Sequence, residues 1–135
     1  MAVLLDTGVI YALADTDDRW HARCRAWLRD NREPLLVPVA VASEAAALMR
    51  AQLGRKAELA LARSLAGGEL QVEHPTRADL ERTAAILDAH PEIGFASATL
   101  VALAERLKVV SIATTYRRRL DPVRAARGLR CTFVP

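Results

Sequence analysis

Residues 3–14 read VLLDTGVIYALA, and this stretch decides the fold. The continuous apolar run 3–5 is typical of a central strand that is covered on both faces. The run ends at Asp6, and the residues that follow predict a helix opening at Thr7 or Gly8. A buried strand that passes into a helix is the first unit expected of an α/β domain.

The alternation of strands and helices continues along the chain. Further strands are predicted at 34–39, 70–73, 109–113 and 131–134. Further helices are predicted at 41–53, 56–65, 76–90 and 96–107, together with one near residue 20 that is capped by Asp17 or Asp18. At the start of the helix predicted at 76–90, Thr76 and Asp79 resemble a capping box. The order predicts a single domain over residues 1–135, an α/β three-layer sandwich with a mostly parallel central sheet and helices on both faces.

Composition is that of a compact globular protein. The chain has 135 residues, of which 52% are hydrophobic and 26% charged, so it is long enough to bury one core. Its two cysteines, Cys24 and Cys131, form neither a disulfide framework nor a zinc spacing, which favours a reducing cytoplasm. Because the apolar start contains Asp6 and has no basic lead, we expect neither a signal peptide nor a membrane anchor.

Positive charge is concentrated in the last third of the chain. The net charge is only +3, but from Pro91 onward there are eight lysines and arginines against three acids. This asymmetry indicates a face for nucleic acid or for an acidic partner, although a solvated arginine-rich surface explains it equally well.

Two carboxylates fall where an α/β domain places its ligands. Asp6 follows the first strand, and Glu44 lies at the start of the helix after the second strand. The carboxyl ends of parallel strands meet at one edge of a sheet, so both side chains can converge there and hold Mg²⁺ for phosphodiester chemistry. Two other interpretations stay open, with Asp6 as a helix cap and Glu44 on a solvent-facing side of its helix. The chain has no glycine-rich phosphate loop, so no nucleotide cofactor is expected.

Four segments in matching order resemble the PIN-domain family, and specifically the VapC ribonuclease toxins of type II toxin–antitoxin systems. They are LDTGVIYAL at 5–13, DDRWH at 17–21, the stretch 38–44, and GF at 94–95 leading into LVALAER at 100–106. The resemblance implies a Rossmann-like PIN fold and a Mg²⁺- or Mn²⁺-dependent endoribonuclease activity. It also implies a homodimer and a small cognate antitoxin that covers the site.

By that resemblance the site has four acidic positions, of which this chain keeps two. Asp6 and Glu44 match the first two, whereas Ser97 and Tyr116 stand where the third and fourth aspartates are expected. A hydroxyl is a much weaker ligand than a carboxylate for a hard cation. We therefore predict at most one weakly held Mg²⁺ or Mn²⁺, with impaired or single-metal catalysis. Asp121 is a candidate substitute acid if the segment after Tyr116 is a loop that folds back.

Further residues are expected to line the site. Thr7 follows the first aspartate, and Thr114 matches a hydroxyl position that commonly lines such sites. Candidate contacts for RNA phosphates are Arg117, Arg118 and Arg119, and Tyr116 is positioned in sequence to stack on an unpaired base. These contacts predict RNA binding that does not require a metal ion. The competing interpretations are a packing role for Tyr116 and a solvated turn for the arginines.

Two alternatives to a working ribonuclease remain on the sequence alone. One is a catalytically inactive PIN-fold protein that binds RNA or an antitoxin, and the other is an α/β interaction module that resembles the family only in its core. Cleavage of RNA in Mn²⁺ that is lost in Asp6→Ala would separate the ribonuclease from both.

Overall fold

The computed structural model describes all residues 1–135 as an α/β fold around one five-stranded sheet. The strands are β1 (Val3–Leu5), β2 (Leu35–Pro38), β3 (Gln71–Glu73), β4 (Ser111–Ala113) and β5 (Thr132–Val134). They lie in the order β3-β2-β1-β4-β5, and each neighbouring pair is parallel. The sheet predicted as mostly parallel is thus parallel throughout, and the predicted three-layer class is confirmed.

Seven helices connect the strands. They are α1 (Thr7–Ala14), α2 (His21–Asp30), α3 (Val39–Leu53), α4 (Arg55–Ala66), α5 (Arg77–Ala89), α6 (Phe95–Leu107) and α7 (Arg117–Ala126). The predicted capping box is confirmed, because the Thr76 hydroxyl accepts from the Asp79 backbone and the Asp79 carboxylate accepts from the Thr76 backbone. None of the helices is both long enough and apolar enough to cross a membrane.

Two predictions about helices are wrong. Asp17 and Asp18 do not cap α2, which begins at His21 with no side-chain cap, and Asp18 instead accepts from the Trp20 backbone in the turn before the helix. The segment after Tyr116, predicted as a loop or solvated turn, is helix α7. Its arginines and its internal proline hide the helical signal. Leu120 and Val123, both fully buried, hold it against the core.

The core surrounds β1 and α6. All three residues of β1 are buried, as expected for a central strand with helices on both faces. Helix α6 is apolar nearly all round and buries eight of its 13 residues. Because Leu5 of β1 pairs with Ala113 of β4, the residues that follow these strands, Asp6 and Thr114, emerge side by side at the carboxyl edge of the sheet. This edge positions the candidate site.

Candidate active site

Asp6 lies at the junction of β1 and α1 with only 1% of its surface exposed. Its Oδ1 accepts from the Thr7 backbone N–H at 2.9 Å, and its Oδ2 accepts from the Thr114 hydroxyl at 3.0 Å. The Tyr116 backbone N–H in turn donates to the Thr114 hydroxyl oxygen at 2.9 Å. The side chain is therefore a helix cap, as one interpretation had it, and it is also the fixed centre of the sheet edge.

Burial makes ionisation of Asp6 unfavourable. Desolvation raises the pKa of its carboxyl from 3.8 to about 6, although the hydrogen bonds from Thr7 and Thr114 lower it in part. The negative charge of Glu44 raises the pKa further, so the two carboxylates lie close enough to repel each other. An anionic pair held at such a cost indicates a site that a cation would stabilise.

Glu44 lies in the second turn of α3 and is exposed to solvent. It does not face bulk water alone, because it lines a cleft of about 220 Å³ whose wall also includes Ser97, Tyr116 and Arg119. Burial raises the pKa of the Tyr116 phenol, and the charges of Asp6 and Glu44 raise it further. One cleft thus contains Glu44 and both positions where acids were expected but are absent, and the charge of Asp6 acts on both Glu44 and Tyr116 from the adjoining end of β1.

The three arginines after Tyr116 separate in space. Arg119 lines the cleft, and its guanidinium lies 5.6 Å from the centre of the Tyr116 ring, a cation–π distance. Arg117 points to the end of β5, where it donates to the carbonyls of Phe133 and Pro135. Arg118 is exposed on α7. Of the three predicted phosphate contacts, the structure places Arg119 alone at the cleft.

Comparison with known proteins identifies the family of this chain and its relatives. Residues 3–121 match the protein family described as the PIN domain. The chain belongs to the PIN-domain family. Over 135 residues it is 31% identical to ribonuclease VapC26 of Mycobacterium tuberculosis strain ATCC 25618 / H37Rv, an alignment that covers 98% of this chain and all of that protein. The relationship extends along the whole chain rather than the core alone, and it places this PIN domain among the VapC-type nucleases.

Solved structures agree on the fold. VapC20 of M. tuberculosis, a sarcin-ricin loop cleaving toxin, superposes with a TM-score of 0.77 at 22% identity, over 82% of this chain and 87% of that one. FitAcB from Neisseria gonorrhoeae gives a TM-score of 0.67 at 21% identity, over 98% and 96% of the two chains. A toxin–antitoxin complex from Klebsiella pneumoniae gives a TM-score of 0.68 at 13% identity, over 88% of this chain and 90% of that one.

PIN-domain ribonucleases generally use divalent metal ions, and the carboxylates of this PIN domain are donors of the kind that such ions prefer. Asp6 and Glu44 are two hard oxygen donors, which suits one Mg²⁺ or Mn²⁺ that keeps several waters. The chain contains no group of three or more His, Cys, Asp or Glu side chains able to hold a metal. The hydroxyl of Thr7, next to Asp6, is buried without a hydrogen-bond partner and adds one neutral oxygen. The residues present therefore offer the hard oxygen donors that a divalent ion prefers.

Asp121 does not join this pair of acids. Its carboxylate accepts from Arg124 at 2.9 Å, one turn along α7, where the sequence had predicted a loop that could return to the site. The helix fixes the direction of Asp121, and the ion pair with Arg124 occupies its charge. The site therefore gains no third carboxylate from this residue.

The sequence did not identify Gly8, which packs against the segment of Tyr116, or Asp18, which lines a neighbouring cleft with Tyr116, as site residues. A Cβ built on Gly8 would lie 2.1 Å from the Thr115 hydroxyl and 3.2 Å from the Tyr116 ring, so the absent side chain lets the segment after β4 pack on α1. The one available signal was a glycine in the first turn of a helix, where it costs roughly 0.5–1 kcal/mol relative to alanine. Asp18 left no such signal, because its proximity to Tyr116 arises only in the folded chain.

Gly8→Ala should lower the stability of the protein. The new methyl must displace Thr115 and the Tyr116 ring, an overpacking that we expect to reduce the free energy of unfolding by about 1–3 kcal/mol. Urea unfolding checks this, with Gly94→Ala as the matched control, because a Cβ there meets nothing within 4 Å. Equal stability of Gly8→Ala and the parent would contradict the packing role of Gly8.

Proposed function

We propose that this protein is a VapC-type endoribonuclease toxin. Asp6 and Glu44 would hold a single Mg²⁺ or Mn²⁺, and the enzyme would cleave RNA slowly. The observation that carries the proposal is the pairing of a buried carboxyl of raised pKa with a second acid in a cleft that also contains Arg119. VapC26 is named a ribonuclease and VapC20 is described as a sarcin-ricin loop cleaving toxin, and both support RNA as the substrate.

The chain's own residues would each perform one task. A bound divalent ion supplies a Lewis acid that lowers the pKa of water and balances charge at the phosphate. Asp6 is oriented for that ion by the Thr7 N–H and the Thr114 hydroxyl, so its carboxylate needs little rearrangement. Glu44 supplies the second negative charge from α3, and Arg119 offers a cation to a phosphate oxygen.

Slow turnover follows from the missing acids. Paired metals stabilise both the attacking and the leaving oxygen of a phosphodiester, and two divalent ions need more negative charge than two carboxylates provide. Ser97 and Tyr116 offer neutral hydroxyls in place of that charge. We therefore infer that a single ion is used and that cleavage is weaker than in a PIN domain with four acids.

A small antitoxin is the partner proposed for this toxin, and the protein is proposed to be a cytoplasmic homodimer. The K. pneumoniae neighbour is titled a toxin–antitoxin complex, which supports an antitoxin for this chain as well. Co-expression with a candidate small antitoxin, followed by purification of a stable complex, would support this assignment. Free toxin recovered alone under the same conditions would count against it.

The function is tested by cleavage of single-stranded RNA in Mn²⁺. We expect EDTA to abolish cleavage and Glu44→Gln to reduce it roughly tenfold, because one of two metal-binding charges is lost. Asp88→Asn, which removes an exposed carboxylate of α5 outside the cleft, is the matched control and should retain the parent rate. Equal activity of Glu44→Gln and Asp88→Asn would remove Glu44 from the mechanism.

A PIN-fold protein that binds RNA without cleaving it is the second candidate. Arg119, the neutral Ser97 and the N-terminus of α6, where Gly94 provides no side-chain cap, all lie at one cleft, and each favours an anion. Binding in EDTA should weaken with salt along a straight line of log K against log salt. A flat line would exclude phosphate contacts, and binding without any cleavage in Mn²⁺ would favour this candidate over the ribonuclease.

A further inference from the structure

A second cleft adjoins the cleft lined by Glu44, Ser97 and Arg119, which we refer to as the catalytic cleft. Tyr116 lines both, so the two clefts are neighbours that share one wall. The second cleft has a volume of about 330 Å³, at the lower end of the range for small-molecule sites. It is lined by Gly8, Tyr11, Asp18, Arg19, Trp20, Leu48, Thr115 and Tyr116, and we refer to it as the aromatic cleft.

Aromatic side chains are concentrated in this cleft. The chain has only six aromatic residues, and Tyr11, Trp20 and Tyr116 all line the aromatic cleft. None of the three is fully buried, and Tyr116 is 39% exposed. Tyr11 and Trp20 also pack in part against the core, whereas Tyr116 does not, so a surface cleft containing half of the aromatic residues offers partly exposed rings to a flat ligand.

Arginines accompany two of these rings. The guanidinium groups of Arg19 and Arg23 lie 5.7 and 5.2 Å from the centre of the Trp20 ring, and that of Arg119 lies 5.6 Å from the Tyr116 ring. Aromatic faces combined with arginines are the feature that binds single-stranded nucleic acid, since bases stack on the rings and phosphates pair with the cations.

The position of the Tyr116 ring is fixed by the backbone of α1. Gly8 leaves room for the ring, which would lie 3.2 and 3.3 Å from a Cβ at that position. The Tyr116 backbone N–H is held by the Thr114 hydroxyl, which itself donates to Asp6. The wall of the aromatic cleft is therefore connected to the catalytic acid through two hydrogen bonds. A base stacked there would lie next to the phosphate that Asp6 and Glu44 act on.

Asp18 gives the aromatic cleft a hydrogen-bonding edge. Its Oδ1 accepts from the Trp20 backbone N–H at 2.8 Å, which orients the carboxylate, and its Oδ2 has no partner within the chain. A carboxylate accepts from N–H groups and repels carbonyl oxygens. Guanine offers two adjacent donors on its Watson–Crick edge, whereas uracil offers one donor between two carbonyl oxygens.

We propose that the aromatic cleft binds an unpaired nucleobase of the RNA, stacked on Trp20 and Tyr116, and that Asp18 makes guanine the preferred base. This inference rests on the proposed function for its RNA, since the base is the one adjoining the phosphate at Asp6 and Glu44. It adds a base-selecting subsite to a catalytic cleft that recognises only phosphate and metal.

Binding in EDTA tests the subsite apart from catalysis. The probes are three hexaribonucleotides of uridine, one unmodified, one with a single central guanosine and one with an abasic ribose at that position. In the Trp27→Phe background Trp20 is the only tryptophan, and we expect the guanosine hexamer to quench its fluorescence. The guanosine hexamer should bind roughly tenfold more tightly than the abasic one. Equal affinity for the two would overturn the proposal.

Variants assign the effect to the aromatic cleft. With dye-labelled RNA, Trp20→Ala and Tyr116→Ala should each lower affinity for the guanosine hexamer roughly tenfold, and neither should change affinity for the abasic one by as much. Phe95→Ala removes an exposed ring that does not line the cleft and should bind as the parent does. Circular dichroism confirms folding, and if Trp20→Ala does not fold, the more exposed Tyr116→Ala decides.

Asp18→Asn tests the base preference. The amide oxygen can still accept from the Trp20 backbone, but the second carboxylate oxygen is replaced by an NH₂ donor. The preference for guanosine over uridine should therefore fall to within twofold, while the affinity for the uridine hexamer is kept. A preference that persists in Asp18→Asn would remove Asp18 from the proposal. Loss of base dependence with normal Mn²⁺ cleavage would sink this inference alone, whereas base-dependent binding without cleavage would support it and contradict the ribonuclease.

Discussion

Ser97→Asp combined with Tyr116→Asp should raise the Mn²⁺-dependent rate of RNA cleavage roughly a hundredfold, the usual size of one preorganised electrostatic contribution to catalysis. Ser97 lies in the first turn of α6 and lines the catalytic cleft with Glu44, so an aspartate there adds a carboxylate where a metal ligand is lacking. Tyr116 lines the same cleft, and an aspartate there completes four acids. Together they would provide the charge for a second ion.

The two single substitutions should differ in their effects on cleavage rate and stability. Tyr116 packs against Gly8 and under Arg119, whereas Ser97 is a small residue at the rim of the cleft. Ser97→Asp should account for most of the gain, and Tyr116→Asp alone should lose packing and lower stability. Cleavage rates across a Mn²⁺ titration measure both effects. Ala84→Asp, which adds the same charge on the exposed side of α5, should leave the rate unchanged.

Stability supplies an independent readout of the same substitution. Without metal, a third carboxylate beside Glu44 and Asp6 adds like-charge repulsion and should lower the unfolding temperature of Ser97→Asp. Mn²⁺ binds the folded state and should raise that temperature more in Ser97→Asp than in the parent. Rates and Mn²⁺-induced shifts equal to those of the parent would mean that Ser97 does not face the metal.

The sequence predicts the elements that carry a strong local pattern. The run at β1, the acid at its end and the apolar face of α6 each follow from periodicity, and these elements form the centre of the fold. Helix α7 was missed because Pro122 and three arginines in succession mimic a turn. Only the tertiary contacts of two buried side chains stabilise it as a helix, and such contacts are invisible to a local pattern.

The candidate site divides in the same way. Asp6 and Glu44 could be placed at one edge because parallel strands direct their carboxyl ends together. The separation of Arg119 from Arg117 could not be predicted, since it depends on the phase of a helix that the sequence hid. The aromatic cleft was equally inaccessible. It joins Trp20 to Tyr116 across about a hundred residues, and no spacing rule connects two such positions.

Asp6→Asn should abolish cleavage and yet stabilise the metal-free protein at neutral pH. The pKa of Asp6 is about 6 in the fold, above the ordinary value of 3.8, so between these two pH values the native state holds a proton that the unfolded state has released. The parent should therefore lose stability as pH rises from 4 through 6. By pH 7.5 this loss amounts to about 3 kcal/mol, at 1.36 kcal/mol for each unit of pKa.

Asparagine carries no charge at any of these pH values, so Asp6→Asn escapes the loss. Its amide oxygen can still accept from the Thr7 N–H. The NH₂ group that replaces Oδ2 cannot accept from the Thr114 hydroxyl, and the loss of that hydrogen bond offsets part of the gain in stability. We expect the variant to exceed the parent by roughly 2 kcal/mol at pH 7.5 and to match or fall below it at pH 4. Urea unfolding in EDTA at several pH values measures this difference.

A loss of RNA cleavage together with a gain in stability would separate a functional acid from a structural one. If Asp6 served only as the cap of α1, asparagine would be an equally good cap, RNA cleavage would stay intact and Mn²⁺ would not stabilise the parent. If it is held for a cation, the same replacement removes a charge that the fold tolerates poorly, and Mn²⁺ should stabilise the parent while leaving Asp6→Asn unchanged. Asp88→Asn, at an exposed position, should show neither change. A pH-independent loss of stability in Asp6→Asn with normal cleavage would leave the protein without its proposed catalytic centre.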